Sequence, residues 1–261
     1  MPPRVPTEAD FAPLRPSLTF TLTWPKPAEL TTSVLIILHG LGDSEAPLTQ
    51  FAAAMNLPGV LCITVRGVSP LPSALLGFDA EDAPPGAAHF HWGDDLKIDP
   101  SSEELDPDPG FNAARTAILD RLVRDTLVGR CGWSTKDVML FGFGQGGSLA
   151  LGLASSMRLG KKVEEVTSDD ATATEAETFK GVVSIGGPLP RSMVPSLSAR
   201  RKAETKVLAV QMEDDDAEFV KEEFEDVRVV KWKRKDVAMP QNRDEMLPIM
   251  QFFASRLNSG W

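Results

Sequence analysis

The sequence predicts an α/β fold with a mostly parallel central sheet and helices on both faces. Three observations carry that reading: short continuous apolar runs recur along the chain, helical patterns separate them, and one run passes directly into a glycine-rich turn and a helix. Strands covered on both faces lose the alternation of a half-exposed strand, so uninterrupted aliphatic stretches are their signature.

In chain order, the proline-rich residues 1–16 predict a loose N-terminal arm, and residues 17–261 predict one domain. SLTFTLTW (17–24) alternates polar and apolar side chains, which suits a strand at a sheet edge. SVLIILHG (33–40), GVLCITV (59–65), DVMLFGF (137–143), FKGVVSI (179–185) and KVLAVQM (206–212) are the buried-strand runs. Helical spacing marks 111–129, 146–157, 216–224 and 242–257. Such alternation implies right-handed crossovers, with ligands at the carboxyl ends of the strands. Two insertions interrupt it. Residues 68–110 are rich in proline, glycine and acid and long enough to be a lid or binding loop; residues 161–178, KKVEEVTSDDATATEAET, read as a solvated or disordered loop. The basic run KWKRK (231–235) reads as a solvated late strand that deters edge pairing.

The bulk numbers exclude some classes. A net charge of -10 and a pI near 4.9 argue against a nucleic-acid or anionic-membrane surface, since both need clustered cations. No stretch reaches the length of a membrane span, and the N-terminus lacks an apolar leader core. The two cysteines, Cys62 and Cys131, suggest neither a metal knuckle nor a disulfide framework, so the expected compartment is reducing: the cytoplasm, or the nucleus. Nothing in the sequence implies a cofactor, and the oligomeric state is open.

The chemistry-bearing motifs lie at two strand ends. LHGLGD (38–43) ends a buried strand in a glycine turn, which frees backbone amides at the carboxyl edge; Gly40 and Asp43 shape that turn, and His39 supports it. GFGQGG (142–147) opens a helix, so the Gln145 amide sits at the positive end of its dipole. Two such donors aimed at one point form an oxyanion hole. The second block has the spacing of a G-x-S-x-G nucleophile elbow, yet its central residue is Gly144, which has no atom to attack with.

Together LHGLGD, the loop ending in HFHWGDD, GFGQGG, KVLAVQMEDDD and the helix after MPQNRDEM resemble, in order, the acyl-protein thioesterase and carboxylesterase (lysophospholipase-like) branch of the α/β-hydrolases. The resemblance spans about residues 33–257 and implies an α/β-hydrolase fold with a Ser-Asp-His triad. Carried over, the oxyanion donors fall on Leu41 and Gln145, the nucleophile on Gly144, the acid on Asp215 and the histidine on Met239. The histidines, His39, His89 and His91, all precede the elbow, so nucleophile and general base are both absent from their positions.

Substitutes are weak. Ser148, one turn into the helix, has no base nearby in the sequence and reads as a small packing residue. HFH (89–91) puts two imidazoles on one face, beside Trp92. A metal site or a relocated base would need a third group at fixed geometry, and the plainer reading is a cleft-lining loop with polar tips. The functional expectation is a non-catalytic homologue whose cleft or loops bind an acyl or carboxylate ligand or a protein partner. The alternative is a weak esterase or thioesterase using an unconventional nucleophile or a water.

Overall fold

The computed structural model describes residues 3–72, 89–96, 105–157, 177–195 and 201–258. Seven strands form one sheet in the order β1-β3-β2-β6-β7-β8-β9: β1 (Phe20–Thr23), β2 (Ser33–Leu38), β3 (Val60–Val65), β6 (Val138–Phe143), β7 (Gly181–Ile185), β8 (Val207–Val210) and β9 (Val227–Val230). Only β1 is antiparallel, pairing with β3 from Phe20 opposite Val65 to Thr23 opposite Cys62; every other pair is parallel. The remaining strands, β4 (Ser69–Pro70) and β5 (Phe90–His91), make a small separate ribbon.

The aliphatic runs are explained by burial on both faces. Along β2, Val34, Ile36 and Leu38 enter one core, and Leu35 and Ile37 enter the other. The first core is closed by α3 (Asn112–Arg115), which continues as a π-helix over Thr116–Arg130, together with α4 (Gln145–Ser156) and α5 (Asp214–Glu223). The second is closed by α2 (Glu45–Met55) and α6 (Arg243–Leu257). Helices therefore cover both faces, as the strand pattern requires.

Three expectations need correction. Residues 3–16 are not a loose arm: α1 (Glu8–Phe11) buries Phe11 fully, Leu14 follows it into the first core, Arg4 N–H donates to Cys131 O at 3.0 Å, and the Trp133 indole donates to Arg4 O at 2.6 Å. The late strand is Val227–Val230 and ends before KWKRK, where Lys231 instead pairs with Asp214 at 2.6 Å. α2 is not disclosed by the sequence pattern, because EAPLTQFAAAM carries a proline in its first turn and few large apolar side chains. The 161–178 insertion lies outside the described residues apart from its last two, as do 73–88 and 97–104 of the long loop. Among the described residues, no helix is long and apolar enough to cross a membrane.

Strand order reverses at β2: β3 lies on one side and β6 to β9 continue on the other. At such a switch point the two loops leaving neighbouring strands diverge and open a crevice at the carboxyl edge. The loops there begin at His39 and Gly144.

Candidate functional site: a cleft over the elbow

The elbow is built by close backbone approach. A methyl group at Gly142 would collide with the Gly146 carbonyl, and one at Gly146 with the Leu38 and His39 carbonyls. The flanking glycines are therefore steric requirements of β6 turning into α4 against β2. Gly144 differs. It sits at φ 51°, ψ -122°, its N–H donates to Ile185 O at 2.8 Å, and an added Cβ would meet only Gly40 Cα, at 3.8 Å. Space for a side chain exists at the centre of the turn and at neither end of it.

The 40–43 turn is closed by Asp43 N–H donating to Gly40 O at 3.2 Å, with Gly42 at φ 79°. It is stitched to β5: Gly42 N–H donates to Phe90 O at 2.9 Å and Phe90 N–H to Asp43 O at 3.2 Å. Trp92 then bridges both loops, its backbone N–H donating to Gln145 Oε1 and its indole to His39 O, each at 2.8 Å. The Gln145 side chain is thus occupied in positioning. Its backbone N–H, in the first turn of α4, belongs to the group that helical geometry leaves without an intrahelical acceptor.

His39 is fully buried. Nε2 lies 2.7 Å from the Gly67 N–H and must accept; Nδ1 lies 2.7 Å from Gly40 O and must donate. The ring is therefore neutral with its proton on Nδ1, and burial holds its pKa below the usual histidine range. His91 is also buried, its pKa likewise lowered by desolvation, and its Nδ1 has no partner among the described residues. His89 places Nδ1 2.7 Å from Gly42 O.

Over the elbow lies a cavity of about 190 Å³ walled by residues of both loops and of the long insertion. Leu41, Gly144, Gln145 and Ser148 line it. Leu96, Leu105, Asp106, Pro107, Gly186 and Pro188 also line it. No spacing rule singles those six out; the length of the 68–110 loop is a signal for the first four, and Gly186 and Pro188, which follow β7, carry none. His39, Gly40, Asp43, His91 and Trp92 do not line it. They stand behind the wall as supports, and the expectation of exposed polar tips at HFHW fails because His91 and Trp92 are buried.

The positions matched to the acid and the histidine are not brought to the cavity either. Asp215 is exposed in the first turn of α5, and Met239 packs toward the second core. In that last loop it is Val237 that reaches Gly186, closely enough that a methyl group there would collide with Val237 Cγ1. Arg234 pins the loop, donating to Glu245 Oε1 and Met239 O, both at 2.9 Å. Among the described residues, no cluster of three or more metal-ligating side chains is present.

A phospholipase/carboxylesterase family model matches residues 25–223, from before β2 through α5. The chain belongs to the phospholipase/carboxylesterase family. An uncharacterized hydrolase of Mycosarcoma maydis is 34% identical over 128 residues, 49% of this chain and 43% of the relative. An uncharacterized hydrolase of Schizosaccharomyces pombe is 30% identical over 161 residues, 62% and 55% of the two chains. The chain thus spans about half the length of the curated relatives it matches. Among solved structures, esterase PE8 superposes with a TM-score of 0.64 at 16% identity over 92% of this chain and 99% of its own. Acyl-protein thioesterase 2 of Zea mays gives 0.56 at 16% over the same shares, and the Bacillus cereus carboxylesterase gives 0.58 at 13% over 96% and 100%. At these identities the structures establish the α/β-hydrolase fold.

Proposed function

We propose that this phospholipase/carboxylesterase-family chain is a pseudoenzyme, with Gly144, Asp215 and Met239 in place of a working triad, whose cleft holds an acyl or carboxylate ligand or docks a protein partner. One observation carries the reading: Gly144 faces the cavity at the one elbow position with room for a side chain, and no imidazole lines that cavity among the described residues. A serine alone would lack a base, and here the serine is missing too. The amides of Leu41 and Gln145 remain as donors for a carbonyl or carboxylate oxygen. The buried, free Cys62 and Cys131 support a reducing compartment, and we place the protein in the cytoplasm.

The test is turnover of short acyl esters and thioesters. The expected rate equals the buffer blank, both for the wild type and for a variant whose cavity is filled by Leu105→Trp. Wild-type turnover that Leu105→Trp abolishes overturns the reading in favour of a weak carboxylesterase or thioesterase. That second reading draws support from the same amides, because oxyanion donors alone accelerate acyl transfer without a triad.

A further inference from the structure

Among the described residues that line the cavity, Asp106 is the single ionisable one, and the others are mostly leucine, proline and glycine. The segment that bears it is fixed. Asp106 Oδ1 accepts the Asp108 N–H at 2.8 Å, and Asp108 in turn accepts the Ser192 N–H at 2.8 Å and the Ser192 hydroxyl. No hydrogen bond or ion pair among the described residues engages Asp106 Oδ2. Asp106 is half-buried, so a positive group placed beside Oδ2 would meet an anionic oxygen that no described residue neutralises.

The described lining thus combines two unlike parts, Leu41 and Gln145, whose backbone amides are the donors of the proposed function, and the carboxylate-bearing Asp106, among apolar residues. Its volume of about 190 Å³ suits a small guest, since an engineered cavity of about 150 Å³ holds one benzene. Whole-molecule charge points the same way, because a chain of net charge -10 repels a bare anion and tolerates a dipolar one. Building on the reading of this cleft as a binding site, we propose that its ligand is a short aliphatic amino acid-like molecule. A carbonyl or carboxylate oxygen meets the Leu41 and Gln145 amides, and an ammonium group meets Asp106.

Calorimetric titration of the intact chain tests this with ω-amino acids of four to six carbons, each against the alkanoate of equal length. The best amino acid is expected to bind at least about tenfold more tightly than its alkanoate, as a charge-assisted hydrogen bond implies. Asp106→Asn keeps the Oδ1 acceptor for the Asp108 amide, so alkanoate binding persists while the advantage of the amino acid falls to about one. Alkanoates that bind as tightly as amino acids, or an advantage that survives Asp106→Asn, overturn the inference. If alkanoates bind, Leu105→Trp abolishes that binding and the ammonium adds nothing, the inference falls while the cleft reading stands. If the wild type binds neither series, both fall.

Discussion

Gly144 and its two glycine neighbours look alike in sequence and differ in what a side chain would meet. Adding one methyl group at Gly142 or Gly146 drives it into backbone carbonyls, whereas at Gly144 the nearest atom is 3.8 Å away and only the backbone angle objects. A non-glycine residue at such a φ costs on the order of 1–3 kcal/mol. Gly144→Ala is therefore expected to lower unfolding free energy by about that amount, and Gly142→Ala or Gly146→Ala by more, to the point of failed folding. Urea midpoints rank the three, and equal losses would contradict the steric distinction. The buried imidazoles carry a second expectation. Because burial lowers the pKa of His39 and His91 in the folded chain, the unfolded chain binds protons at a pH where the folded chain does not. Stability is then full above about 6.5, the unfolded histidine value, and declines as pH falls below it. The urea midpoint should drop between pH 7.5 and pH 5.5, and the His39 ring proton should show no NMR titration near pH 6.5. A midpoint independent of pH over that range would remove the argument.

Elements that the sequence discloses are those whose own residues decide their burial. β2, β3, β6, β7 and β8 are legible because nearly all the side chains of a doubly covered strand are apolar, and α4 is legible because a glycine turn hands β6 straight into it. α2 is illegible for the converse reason: its buried face is only Leu48, Ala52, Met55 and the ion-paired Glu45, too sparse to show a helical period. The N-terminal segment hides behind its prolines. Phe11 and Leu14 are three residues apart, a spacing that means nothing until the chain folds back over the first core. Each such side chain contributes about 1.5–3 kcal/mol when buried. Deletion of residues 1–16 is thus expected to cost roughly 3–6 kcal/mol, read as a lowered melting temperature, whereas a truncated chain as stable as the full one would restore the idea of a loose arm. The wall residues Leu96, Leu105, Asp106 and Pro107 are illegible for a further reason, since a loop residue's neighbours are set by where its two ends are anchored.

At the scale of the whole molecule, the proposed pseudoenzyme would need both a nucleophile and a base at the cleft to hydrolyse esters. A nucleophile must share a hydrogen bond with its base, so the base has to stand beside the cavity that Gly144 lines. Alignment along the chain points to Met239, while the fold points two residues earlier. Met239 turns into the second core, its carbonyl held by Arg234, and Val237 instead abuts Gly186 at the cavity edge. Val237 is also 45% exposed, so an imidazole there displaces no core packing. Gly144→Ser alone is expected to leave ester hydrolysis at the blank rate, because no described imidazole reaches the cavity. Adding Val237→His should raise turnover of a short acyl ester by about 10²–10⁴-fold, the usual contribution of a positioned base. Adding Met239→His to Gly144→Ser should gain little and lose stability, since a polar ring would replace a thioether packed against the second core. Initial rates for the two double variants decide between chain alignment and spatial position. If Met239→His restores turnover and Val237→His does not, the last loop moves in solution so as to exchange those two side chains, and the cleft is shaped by that motion rather than by the pinning of Arg234.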